Sequence, residues 1–158
     1  MNLYDFYRDL VADVAHDSDL TAWSHIRYGK AMAVYTGFPA DGPPDMTADV
    51  PFLMFAEPSR MCSQNRREII YSCGAWLGLA VTGDQVRVEA NLTEPAGVEQ
   101  ILDGMRLVRL AVVGALPEGV TLEDFEEYAD VNAVGSEVHG QMAFVFKETL
   151  TIGSDPMR

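Results

Sequence analysis

The sequence predicts an α+β domain in which an antiparallel or mixed β-sheet carries an N-terminal helix and a central helix packed on it. Residues 3–14 and 98–116 repeat apolar side chains every three or four positions, as helices with one buried face do. Residues 68–81 and 141–152 alternate instead, as half-buried strands do. These patterns are segregated along the chain, and the links between residues 50 and 81 are hairpin-length, which disfavours a parallel βαβ sheet. With 158 residues the chain can hold one sizeable core but not two domains of ordinary size, so residues 1–158 are read as one domain.

In chain order, Leu3, Phe6, Tyr7, Leu10 and Val14 share one helical face, opposite Asp5, Arg8, Asp9 and Asp13. Asp17, Ser18 and Asp19 interrupt that helix, and Leu20, Trp23 and Ile26 begin a second, short one before Gly29. Residues 30–36 fit either a strand or more of the same helix, with strand preferred. Residues 37–49 are rich in Gly, Pro and Asp and read as a surface loop. Residues 50–57 are almost wholly apolar and stop at Pro58, which predicts a strand covered on both faces, with Pro51 in a first or edge position.

The strongest pattern is residues 68–81, where Ile69, Tyr71, Cys73, Ala75, Leu77, Leu79 and Val81 fall on one face. The opposite face is small around Trp76, with Ser72, Gly74, Gly78 and Ala80, and so predicts close approach of another backbone or helix. Residues 82–85 suggest a turn into a short strand at 86–90. Thr93 then reads as an N-cap with Pro95 in the first helical turn, and Pro117 and Gly119 stop the helix. Residues 122–131 are acidic, residues 135–140 look like a turn, and the chain closes on a strand with Met142, Phe144, Phe146, Leu150 and Ile152 on one face. A shared core of Ile69, Tyr71, Leu77, Leu79, Ile101, Met105, Val112, Phe144 and Phe146 follows from these registers.

The formal charge of −13, from 24 acidic and 11 basic side chains, opposes a phosphate backbone, so nucleic acid is not an expected partner. No apolar run reaches the ~18 residues of a spanning helix, and the N-terminus opens on an acidic amphipathic pattern, which argues against a signal peptide or a membrane anchor. Two cysteines cannot build a disulfide framework and suit a reducing interior.

Candidate chemistry is sparse. Cys73 as a nucleophile would need a neighbouring base, yet its period-two position puts it among core residues, and Cys62 has no base nearby. His16, His25 and His139 each lack a second ligand at i+3 or i+4, so neither metal nor cofactor is expected. Acidic runs such as 123–127 are usually solvated faces, and Gly74, Gly78 and Gly83 do not make a phosphate-binding turn. An enzyme or ligand-binding domain would have to assemble its site from Cys73, His25 and Trp76, drawn from separate elements.

The order of the elements is more informative. The segments VPFLMFAE (50–57), REIIYSCGAWLGLAV (67–81), 93–116 and QMAFVFKETLTI (141–152), with the N-terminal helix, span most of the chain. Together they resemble the tail-terminator, or tail-completion, proteins of long-tailed bacteriophages, the minor tail protein U-like family. The residues at 36–51, with their double proline, and the extra strand at 86–90 depart from the shortest version of that pattern and leave room for a sister role at the neck or tail. The resemblance implies a non-enzymatic structural protein of the virion tail, assembled in the bacterial cytoplasm as a homo-oligomeric ring, typically a hexamer. Its implied partners are copies of itself, the tail tube protein and the head connector. For the contact between neighbours, Arg60, Arg66 and Arg67 offer a basic loop, and Glu123, Asp124, Glu126, Glu127 and Asp130 an acidic segment. Two different patches that meet head to tail can close a ring.

Overall fold

The computed structural model describes residues 1–40, 42–45, 48–62, 67–81, 87–89, 92–94, 96–130 and 137–150. Helix α1 (Leu3–Ala15) starts at Asn2, whose side chain accepts a hydrogen bond from the Asp5 N–H at 2.9 Å. Helix α2 (Ser18–Tyr28) is capped by the Asp17 carboxylate, which accepts from Leu20 N–H at 2.8 Å. It ends at Gly29, where φ is 70°, a conformation that a side chain would disfavour. The chain then becomes extended at β1 (Ala33–Thr36), so the open choice for residues 30–36 resolves to a strand that starts three residues late.

Strands β2 (Phe52–Cys62), β3 (Glu68–Ala80), β6 (Val120–Asp130) and β7 (Glu137–Thr149) complete a five-stranded sheet in the order β1-β2-β3-β7-β6. Among the described residues only β1 and β2 pair in parallel; the other pairs of this sheet are antiparallel. A separate ribbon, β4 (Arg87–Glu89) with β5 (Leu92–Glu94), precedes α3 (Ala96–Gly114). The predicted α+β class is therefore the observed one, with a mixed sheet.

The helices bury one face of the sheet. Phe6, Leu10, Trp23, Ile101, Met105 and Val112 pack with the odd-numbered residues of β3 and with Met142, Phe144 and Phe146 of β7, and every residue of the predicted core belongs to this cluster. Phe6 stacks on Tyr71 with ring centroids 4.3 Å apart. A smaller cluster of Val50, Phe52 and Met54 lies on the other face, against Ala33, Tyr35, Trp76 and Ala80. Strand β2 is thus covered on both faces in its first half, as its apolar run predicted.

Four local expectations need correction. Strand β2 does not stop at Pro58: its register to β3 shifts between Ala56 and Ser59, where Glu57 adopts φ of 54°, and this bulge accommodates the residue that cannot donate. Thr93 is not an N-cap, because it lies in β5 opposite Val88 and the helix begins at Ala96; Pro95 is outside the described residues. Residues 137–140 are strand, and Gly140 owes its identity to packing, since a Cβ there would come within 2.6 Å of Met105 Sδ. The acidic stretch, given no element from sequence, is the edge strand β6. The turn at 82–85 with Gly83, Val86, Ala90, Gly135 and Ile152 fall outside the described residues.

Candidate functional site

Strand pairing sets where charge is displayed. In β6, period two sends Asp124, Glu126, Tyr128 and Asp130 to the face without helices, opposite Val145, Ala143, Gln141 and His139 of β7. Glu127 turns to the helix side with Phe125, so the acidic cluster predicted from sequence divides between two faces. A register shift at Glu123 breaks the alternation, and its carboxylate takes an ion pair from Lys147 Nζ at 3.2 Å; Lys147 also lies 3.8 Å from Glu68. Strand β6 ends the sheet, and its charges suit an edge that must not recruit stray strands.

The basic residues lie at the other side. Arg60 is in the second half of β2, beyond the stretch that β1 covers, and pairs in register with Tyr71 of β3. Its side chain bonds the Tyr71 hydroxyl, which donates to Glu148 Oε2 at 2.6 Å and has Met1 O as a second acceptor at 3.0 Å. Burial first, and the Glu148 carboxylate second, push that phenol up to about 12. Arg67 is exposed just before β3, and Arg66 is outside the described residues. Three inter-strand steps separate β2 from β6, roughly 14 Å at about 4.8 Å each, so the basic and acidic segments do not meet within one chain.

Cys73, His25 and Trp76 do not converge. Cys73 is buried on the helix side, where desolvation pushes its thiol up to about 12 and suppresses the nucleophilic thiolate. His25 is exposed on α2, and Trp76 points to the opposite face of the sheet from Cys73. What the sequence reasoning missed is the company Trp76 keeps. With Tyr128, Asp130, His139 and Gln141 it lines an open cavity of about 190 Å³, and with Met54, Glu57 and Gly74 another of about 250 Å³. Its ring meets Phe52 edge-on at 5.9 Å and lies 5.8 Å from His139. The signal that could have found Tyr128 was its alternation with Asp124 and Glu126, which continues unbroken past the bulge.

Among the described residues no three His, Cys, Asp or Glu side chains form a group able to hold a metal ion, and no helix is long and apolar enough to cross a membrane. No protein-family model matches the chain, and no curated protein matches it.

Proposed function

We propose that the chain is a structural subunit of a bacteriophage tail, a terminator or completion protein that closes into a ring, typically six-fold, at the head-proximal end of the tail tube and joins the tube to the head connector. One observation carries this reading: the acidic β6 and the Arg60-bearing half of β2 lie at opposite edges of one sheet, and among the described residues no further strand pairs with either. A subunit with two different open edges is suited to head-to-tail contact, the kind that closes into rings when the rotation permits. In such a contact Arg67, exposed just before β3, faces the neighbour's Asp124, Glu126 and Asp130, while Arg60 stays at the Tyr71 hydroxyl of its own chain. The charges set register and speed encounter more than they add affinity.

Co-sedimentation with tail tubes from the same phage, combined with native mass measurement, tests the reading. Wild type sediments with tubes as a ring, and the double reversal Arg66→Glu with Arg67→Glu weakens this, with the remaining association sensitive to moderate salt. No association with tubes would overturn the proposed role. Association unchanged by the reversal and by salt would overturn the charged contact alone.

A further inference from the structure

All three helices lie on one face of the sheet, which leaves the other face of β3, β7 and β6 without a layer among the described residues. Its relief follows from register. Met54, Trp76, Gln141 and Tyr128 stand opposite one another across four strands and form a tall row. The next row along is low: Ala56, Gly74 and Ala143, ending at Glu126 on the edge. Beyond it Ser59, Ser72 and Val145 are also short, and Met61, Ile70 and Lys147 rise again. Trp76 and Ile70 are six residues apart on one strand, about 20 Å at ~3.4 Å per residue. The result is a trough across the strands, wide enough for a helix of about 10 Å diameter.

The same chain carries a helix face that suits it. On α3, Leu102, Leu110 and Val113 remain 49%, 53% and 45% exposed, and with Arg106 they recur at i, i+4, i+8 and i+11 on the side away from the core. A surface helix normally shows water a polar stripe, and this one shows water aliphatic side chains. From Leu102 to Leu110 the helix rises about 12 Å at ~1.5 Å per residue, close to the roughly 14 Å that four strands span. Charge agrees as well. Arg106, paired with Asp103, stands within the stripe and half-buried Arg109, over Phe125, stands beside it, while the trough is rimmed by exposed Glu57, Asp124 and Glu126.

We infer that the outer face of α3 of one copy seats in the trough on the helix-free sheet face of a second copy, giving that sheet its missing helical layer. The two surfaces lie on opposite sides of the subunit, so the contact is heterologous and runs along the sheet normal, whereas the charged edge contact runs in the sheet plane. The choice of a second copy as occupant rests on reading the chain as self-assembling; the matching surfaces do not depend on the tail.

Sedimentation velocity up to millimolar concentration tests this with Leu110→Glu, which spoils the helix stripe, and Ala143→Trp, which fills the trough. Both positions are exposed, and unchanged melting confirms that each variant folds. Wild type self-associates with concentration, each variant weakens by about tenfold or more, and an equimolar mixture of the two forms a heterodimer through the one intact pair of surfaces. Leu102→Glu and Glu57→Arg repeat the two arms at exposed sites outside the charged edge contact. Wild type that stays monomeric, variants that associate like wild type, or a mixture that gains nothing over its components would overturn the inference. Association lost only in Arg67→Glu would overturn it while leaving the edge contact in place, and tube binding reports on the proposed role separately.

Discussion

The two faces of the sheet differ in what holds them. On the helix side Leu77, Leu79, Phe144 and Phe146 are wholly buried between sheet and helices, so each side chain is confined on all sides. On the other side Phe52 is equally buried, in a smaller cluster with Val50, Met54, Tyr35 and Trp76 to which no described helix contributes, and on the edge strand of the same face Tyr128 is 62% exposed. Burial alone does not therefore distinguish the faces. What differs is whether a second layer of backbone enforces it.

The largest effect should come from the layered side. Phe144→Ala removes a ring that contacts Phe125 and Phe146 and leaves a cavity that helices and sheet cannot both collapse into, at a cost of about 3 to 5 kcal/mol by chemical denaturation. Tyr128→Ala on the open face should stay within ~0.5 kcal/mol. Equal losses would break the comparison.

A pair of glycines sharpens it. At Gly78 a Cβ would come within 2.3 Å of the Phe52 ring, whereas at Gly74 it would meet only Ala56 O and Met142 O at 3.8 Å, an ordinary contact. Gly78→Ala should cost ~1 to 3 kcal/mol, and Gly74→Ala should be neutral or slightly stabilising because strand glycine is unfavourable. Similar melting of the two variants would show that Phe52 can move aside and that its corner is as loosely held as the rest of that face.

The smallest effect concerns how the helical layer is clamped. Asp103 of α3 accepts from Trp23 Nε1 at 2.8 Å and pairs with Arg106 at 2.9 Å and Arg27 at 3.5 Å, which ties α2 to α3. Burial opposes its charge, but the hydrogen bonds from Arg106 and Trp23 and the charges of Arg106 and Arg27 outweigh it and hold the carboxyl below its usual range. A folded pKa below the unfolded value of about 3.9 means that this contribution is whole above that pH and is lost as pH falls through the folded pKa. Asp103→Asn should cost ~1 kcal/mol near neutral pH and converge with wild type under acid conditions. A constant difference between the two across the acid range would remove Asp103 from the clamp's electrostatics.

Much of the layered side was legible. The odd residues of β3 and the apolar face of α3 announced the core because burial of one face imposes a period, and period survives in the letters. Gly29 and Asp17 marked the ends of α2 through local sterics and capping. The acidic edge was not legible as a strand. A bulge at Glu123 broke its alternation, and an edge exposed on both faces imposes little apolar pattern to read. The candidate interface was visible as two clusters of charge, but Arg60 turned out to serve the Tyr71 hydroxyl and Glu127 to face away from its acidic neighbours.

The sequence by itself determined most of the residues that leave water, where the long helices run and that the class is α+β, because those follow from side-chain chemistry repeated at the spacing of one helix or one strand. Ile26, Leu102 and Val113 share that spacing and yet stay exposed. Only the tertiary structure decided that β6 is an edge, that β2 and β6 lie at opposite sides, that Gly78 and Gly140 make room for Phe52 and Met105, and that one sheet face carries every described helix. Strand order is set by hydrogen bonds between backbone groups that are the same in every non-proline residue. The letters of one strand therefore carry no label for its neighbour, and the pairing emerges only when the whole apolar surface is buried at once.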